Sequence, residues 1–155
     1  MTNTNIFITN INKETINNNN YRKVLYTTKD QQLVVMSLKP HEDIEFEIHH
    51  NNDQFIRIEK GKGMALIGKN HENKYLLEDD TCIIIPAGTY HQIINTSDTE
   101  YLKLYTIYSP PHHPKNKIDI RKPNESQKGG QNYDDKYHKY KQKYLSLKNK
   151  MNSQR

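Results

Sequence analysis

The stretch EIHHNNDQ, Glu47 to Gln54, carries two histidines and two carboxylates and closes on an amide, directly after the charged run KPHEDIEF. Neutral imidazole and carboxylate are good ligands for Fe, Mn, Ni, Zn or Cu, while an amide oxygen is a weaker, harder one. In an extended chain Glu47 and His49 are two residues apart and point to one face. Another histidine, His91, stands in PAGTYHQIIN, just past a turn made by Pro86 and Gly88. A metal centre is one reading of Glu47, His49 and His91. An empty polar pocket, in which the same side chains bond one another, is the other.

Other chemistries find less support. Cys82 is the only cysteine, so the chain forms no internal disulfide and no thiolate zinc site. It sits in the apolar run CIII, where a packed thiol is expected rather than a nucleophile. The chain shows no Ser-His-Asp ordering, no phosphate-cradling glycine loop and no zinc-finger spacing. His50 should point outward by parity, Asn95 should serve a turn, and His112 and His113 should lie at the surface of a strand exit. Arg57 alternates with Gln54 and should face away from it.

The elements that must position these groups are short. RKVLYT, QQLVVMSLKP, DIEFEIH, QFIRIE, GMALIG, KYLLE, TCIIIPAG, HQIINT and YLKLYTIY are β-type runs, separated by TTKD, HHNND, KGKG, KNHEN, EDD and TSDTE. Regular short strands with turn clusters between them indicate an all-β antiparallel sandwich or barrel. Alternation sets Phe55, Arg57 and Glu59 on one face and Gln54, Ile56 and Ile58 on the other. Ile56 is therefore a pocket-lining candidate, as is Tyr105 from the last strand, although buried tyrosine is commonly core. The strands should end at YSPPHHP, where three prolines forbid further pairing.

The sequence divides into an Asn-rich segment 1–20 ending in a turn, a body 21–114, a polar linker 115–133 and a basic tail 134–155. A short strand can begin at NIFIT. In the tail, Tyr137, Tyr140, Tyr144, Leu147 and Met151 recur at helical spacing behind Asp134 and Asp135, so a short amphipathic helix is expected there after a flexible linker. Hydrophobic residues make up 33% of the 155, and the mean hydropathy is −1.04, low for a chain packed throughout. The net charge of +5 is uneven. Residues 115–155 hold 12 Lys or Arg against 4 acids, 12 − 4 = +8, leaving 5 − 8 = −3 for residues 1–114. The body thus lacks a nucleic-acid footprint, and the tail suits an acidic partner or another protein. No apolar run reaches the length of a membrane span, and the N-terminus lacks the pattern of a secretory leader, so an intracellular protein without a membrane partner is expected.

At this point the chain resembles a small single-domain cupin. Asp80, five residues, Pro86-Ala87-Gly88, two residues, His91, three residues and Asn95 match the second cupin motif, with Asp80 where glycine is usual. The first motif, usually His-x-His, four residues, Glu, six residues and Gly, reads here Glu47-Ile48-His49, four residues, Gln54, six residues and Gly61. The likeness covers about residues 5–114, including RKVLYT, QLVVMSL, DQFIRIEKGKG and LYTIYSPPHHP. These blocks resemble a bacterial subfamily labelled mannose-6-phosphate isomerase-like. The resemblance implies a jelly-roll barrel, a divalent ion (Fe, Mn, Ni or Zn) on Glu47, His49, Gln54 and His91, a small-molecule ligand and a homodimer, with Phe55, Arg57 and Tyr101 facing outward. It is compatible with a metal-dependent isomerase or oxygenase acting on a sugar or other small molecule, with a non-catalytic ligand-binding protein, or with a scaffold whose tail recruits partners. The tail YHKYKQKYLSLK resembles a C-terminal element of proteins from large AT-rich DNA viruses of amoebae, which implies the host cytoplasm or the virion.

Overall fold

The computed structural model describes residues 5–123 together with Ser146, Asn149, Lys150 and Ser153. Ten strands form two antiparallel sheets. They are β1 (Arg22–Thr27), β2 (Gln32–Leu38), β3 (Asp43–Glu47), β4 (Asp53–Lys60), β5 (Gly63–Ile67), β6 (Asn73–Leu77), β7 (Cys82–Ile85), β8 (His91–Asn95), β9 (Leu102–Ser109) and β10 (Ile118–Asp119). One sheet runs β10-β1-β2-β9-β4-β7 and the other β3-β8-β5-β6. The all-β antiparallel sandwich expected from the spaced apolar runs is what forms, in the jelly-roll arrangement that the resemblance implies.

Strand parity builds the core. In β4, Gln54, Ile56 and Ile58 are buried while the residues between them are only partly covered. In β9, Leu102, Leu104, Thr106 and Tyr108 are buried. Leu102, Leu104 and Tyr108 meet Ile44, Ala65, Leu77 and Ile93 of the facing sheet in one apolar cluster. Each fully buried Leu or Ile contributes about 1.5–3 kcal/mol. Two backbone positions show why particular residues recur in the motifs. Gly61 has φ +108°, and a Cβ there would lie 2.6 Å from the Tyr101 carbonyl oxygen. Asp80, in the usual glycine position, has φ +67°, a left-handed conformation that Asp tolerates better than most residues. Its carboxylate also pairs with Arg57 at 2.5 Å, on the outer face where parity placed that arginine.

Three sequence readings need correction. Within segment 1–20, residues 11–17 form a helix, α1 (Ile11–Asn17). Asn10 caps it, its side chain accepting from Lys13 N at 3.0 Å. So short a helix is marginal alone. It is held against the outer face of the large sheet: Asn12 donates to Glu59 at 2.6 Å, and the Lys103 ammonium donates to the Asn18 carbonyl beneath the helix end. Cys82 is exposed rather than packed, because β7 is an edge strand of which only Ile85 is buried. The paired chain also continues past 114. Ile118–Asp119 adds to the edge of β1, Asp119 takes an ion pair from Arg22 at 3.0 Å, and Lys122 pairs with Asp43.

Two units are distinguished, residues 1–122 and 123–155. In the second, Ser146, Asn149 and Lys150 are helical. The rest of the linker and of the tyrosine-rich tail, including Tyr137, Tyr140, Tyr144, Leu147 and Met151, lies outside the described residues.

Candidate metal centre

Glu47 and His91 are direct partners across the β3–β8 ladder. A register shift between Ile44 and Glu47 makes that possible. Ile44 is buried in the core, and simple alternation from it would send Phe46 inward and Glu47 outward. Instead Phe46 packs outside the site on Tyr90, with ring centres 5.4 Å apart, and the bulge returns Glu47 to the interior. His49 follows in the loop and is buried. The PAGT turn ties that loop to His91. Gly88, at φ +79°, donates its N–H to the His49 carbonyl at 2.8 Å, and Ala87 N donates to the Asp53 carboxylate at 2.9 Å. Asp53 is thereby occupied away from the centre, and His50 is exposed.

The donor atoms of Glu47, His49 and His91 all lie within 4.8 Å of one another. Glu47 Oε1 sits 3.0 Å from His49 Nε2 and 3.5 Å from His91 Nε2. Burial acts to raise the Glu47 carboxyl, but the two imidazoles outweigh it and hold it well below the usual carboxylate range. His91 Nδ1 lies 2.9 Å from the Thr89 carbonyl oxygen, a contact that requires Nδ1–H to donate. That bond sets the tautomer and leaves the Nε2 lone pair free, the usual outer support of a metal-bound histidine. His91 Nε2 is buried and has no hydrogen-bond partner.

Gln54 is also buried, at the start of β4. Its amide nitrogen donates to Thr106 Oγ1 and to the Tyr108 hydroxyl, both at 3.1 Å, and its Oε1 is likewise buried without a partner. Buried polar atoms are normally bonded. Here two orphans, an imidazole nitrogen and an amide oxygen, are atoms a cation accepts. This donor set fits a divalent metal.

Ile56 faces inward on the same side as Gln54 and belongs to the hydrophobic core. Tyr105 does not line the pocket. It lies on the other face of β9, opposite Arg57 in the ladder, with its ring 5.9 Å from that of Phe55. The tyrosine at the site is Tyr108, fully buried and edge-on to His49 at 5.6 Å. Burial raises its hydroxyl pKa, so it stays protonated. Extending the parity of Leu102 and Leu104 along β9 finds Tyr108. His112 is exposed at the strand exit, as expected, yet its ring centre is 4.2 Å from that of His49. No spacing rule marks it, because it follows the last long strand and belongs to neither motif. His113 beside it packs edge-on to Tyr108 at 5.1 Å, and burial pushes its imidazole down to about 3.

Two antiparallel sheets, with a carboxylate and two imidazoles delivered between them by a bulged strand and a Pro-x-Gly turn, define a cupin-type protein. The Cupin domain family model matches residues 34–108. Protein L612 of Acanthamoeba polyphaga mimivirus is 55% identical over 145 residues, covering 92% of this chain and 91% of L612. YrkC of Bacillus subtilis (strain 168) is 49% identical over 111 residues, 70% of this chain but only 59% of YrkC. The crystal structure of BH2720 from Bacillus halodurans superimposes with a TM-score of 0.73 at 39% identity, covering 77% of this chain and 92% of that one. The chain belongs to the cupin family and has a viral homologue. Among the described residues no helix is long and apolar enough to cross a membrane.

Proposed function

We propose that the body holds one divalent ion (Fe, Mn, Ni or Zn) on Glu47, His49 and His91, with the amide oxygen of Gln54 as a weaker fourth donor, and acts on a small oxygen-bearing molecule as an isomerase or oxygenase. The observation that carries this reading is the pair of buried, unpartnered atoms, His91 Nε2 and Gln54 Oε1, beside the Glu47 carboxylate. When bound, the metal supplies Lewis acidity toward a carbonyl or hydroxyl oxygen. The hydroxyls of Thr106 and Tyr108 accept from the amide nitrogen of Gln54 and fix its orientation. The fully buried Tyr108 also keeps water from that side. The proposal extends to a homodimer, for which Tyr101, 42% exposed, and Ile84, 68% exposed, offer uncovered apolar surface. Light scattering tests that point.

Elemental analysis of tag-free protein, after loading and desalting, tests the metal reading. About one Fe, Mn, Ni or Zn per chain is expected for the native protein, and loss of it in His91→Ala. A native protein that retains none, or a variant that retains as much, overturns the proposal.

A further inference from the structure

We infer that the molecule bound at the metal centre carries an uncharged apolar group, an alkyl chain or an aromatic ring, and that this group lies in the cleft between β6 and β7; this rests on the metal reading above. β6 ends the smaller sheet and β7 ends the larger one, and no ladder joins them. A cleft of about 370 Å³ lies along that seam, and its walls include Ile67, Tyr75, Leu77, Ile83 and Ile85. Such a volume is at the small end of the range for ligand sites. Register shows that these side chains face inward. Tyr75 pairs with Ala65 and Ile83 with Ile56, both fully buried core residues, and side chains opposed in a ladder share a face. Ile67 and Ile83 pack against the core from its margin. Tyr75 is 52% exposed, so the cleft opens to solvent at its rim.

The same register joins the cleft to the metal centre. Ile67 is the direct partner of His91 in the β5–β8 ladder, and Ile85 is the direct partner of Gln54 in the β4–β7 ladder. Opposed side chains have Cβ atoms about 4.5–5.5 Å apart. His91 and Gln54 carry the two orphaned atoms, so a wall residue of the cleft stands beside each of them. Pro86 and Thr89, from the turn that delivers His91, also line the cleft. A ligand oxygen at the ion therefore has this apolar wall as its neighbouring surface on the side of β6 and β7. Among the described residues that line the cleft none is charged. A phosphate or carboxylate placed there loses its hydration without gaining a partner, whereas an alkyl or aryl group gains from burial. The cleft thus selects against sugar phosphates and for apolar oxygen compounds. Leu76 and Ile84, exposed and facing outward by the same parity, suit a second copy of the chain, but a partner's flat surface does not reach the inward-facing Ile67 and Ile85.

The test uses full-length, tag-free protein loaded with Zn(II) and two probes that share one chelating head, acetohydroxamate and benzohydroxamate. Each is titrated by calorimetry, and each affinity is referred to that for Zn(II) in buffer. Benzohydroxamate is expected to bind at least tenfold more tightly, because its ring removes more apolar surface from water than a methyl group does. Ile83→Asp charges the cleft wall without touching the ion, so its zinc content should be native and the preference should fall to about threefold or less. Where Ile83→Asp loses zinc or fails to fold, Tyr75→Asp at the exposed rim supplies the same comparison. Equal affinities for the two probes in the native protein, or a preference that survives both substitutions, overturn the assignment of the cleft while leaving the Glu47–His49–His91 reading in place. Equal affinities together with a dimer that Ile84→Asp dissociates place a second copy there instead. A native protein that retains no zinc overturns both readings.

Discussion

Replacing Gln54 by Glu puts a carboxyl at a position 1% exposed, in the same interior as the Glu47 carboxylate. The hydroxyls of Thr106 and Tyr108, which now accept from the amide, can turn to donate, each such bond to a charged group contributing roughly 1.5–3 kcal/mol. Against them stand the burial of a charge, several kcal/mol even after relaxation, and repulsion by Glu47. The cost has a ceiling, because the new carboxyl can keep its proton. At pH 7 that costs about 1.36 × (7 − 4.3), or about 3.7 kcal/mol. A loss of about 2–3.5 kcal/mol is therefore expected for metal-free protein. At about 2.1 cal/mol/K per residue over roughly 120 residues, the melting point falls by about 8–14 °C. The pH dependence has a definite sign. A carboxyl whose folded pKa is raised causes no loss below its unfolded pKa and a growing loss as pH rises above it. By the same arithmetic the deficit at pH 5 shrinks to about 1 kcal/mol or less. Metal reverses the order: a carboxylate offsets the ion's charge where an amide cannot, so Gln54→Glu should bind at least tenfold more tightly, about 1.4 kcal/mol. Differential scanning calorimetry of metal-free protein at pH 5 and pH 7, with titration calorimetry of Zn(II), reads both effects. A variant with native stability at pH 7 and unchanged affinity would refute the placement of Gln54 beside the ion.

Two further expectations follow from bonds outside the centre. Asn95, fully buried, donates to the carbonyls of Leu38, Lys39 and Glu100 at 3.0, 2.9 and 2.8 Å and accepts from Ser97 N at 3.0 Å. Asn95→Ala leaves those carbonyls without that partner and should cost about 2–4 kcal/mol, read as a lower urea midpoint at unchanged slope; a shift under about 0.5 kcal/mol contradicts the role. Truncation after Pro114 removes β10, the Arg22–Asp119 pair and the Lys122–Asp43 pair. It should melt several degrees below a chain truncated after Pro123, by about 1–3 kcal/mol, and equal melting points would show that β10 adds nothing.

The linear order of residues carries most of the fold by itself. Short apolar runs at regular spacing can bury a face only by stacking two sheets, so the sandwich was legible in the sequence. The inward face of β4 was legible too, because alternation along one uninterrupted strand is purely local. The resemblance to the two cupin motifs is what set Glu47, His49, Gln54 and His91 apart from the other polar residues. What the sequence could not convey depends on contacts between distant segments. The bulge between Ile44 and Glu47 resets parity, and only pairing with β8 reveals it. Parity along β9 separates Tyr108 from Tyr105, but only the pairing of β9 with β2 and β4 sets which of those two faces meets His49. The helix Ile11–Asn17 exists because a sheet face lies beneath it, and asparagine-rich sequence gives little propensity of its own. The nearness of His112 to His49 spans 63 positions in the chain and is decided by Gln32, a residue of neither motif. Local pattern determines which residues share a face; only the packed structure decides which faces meet.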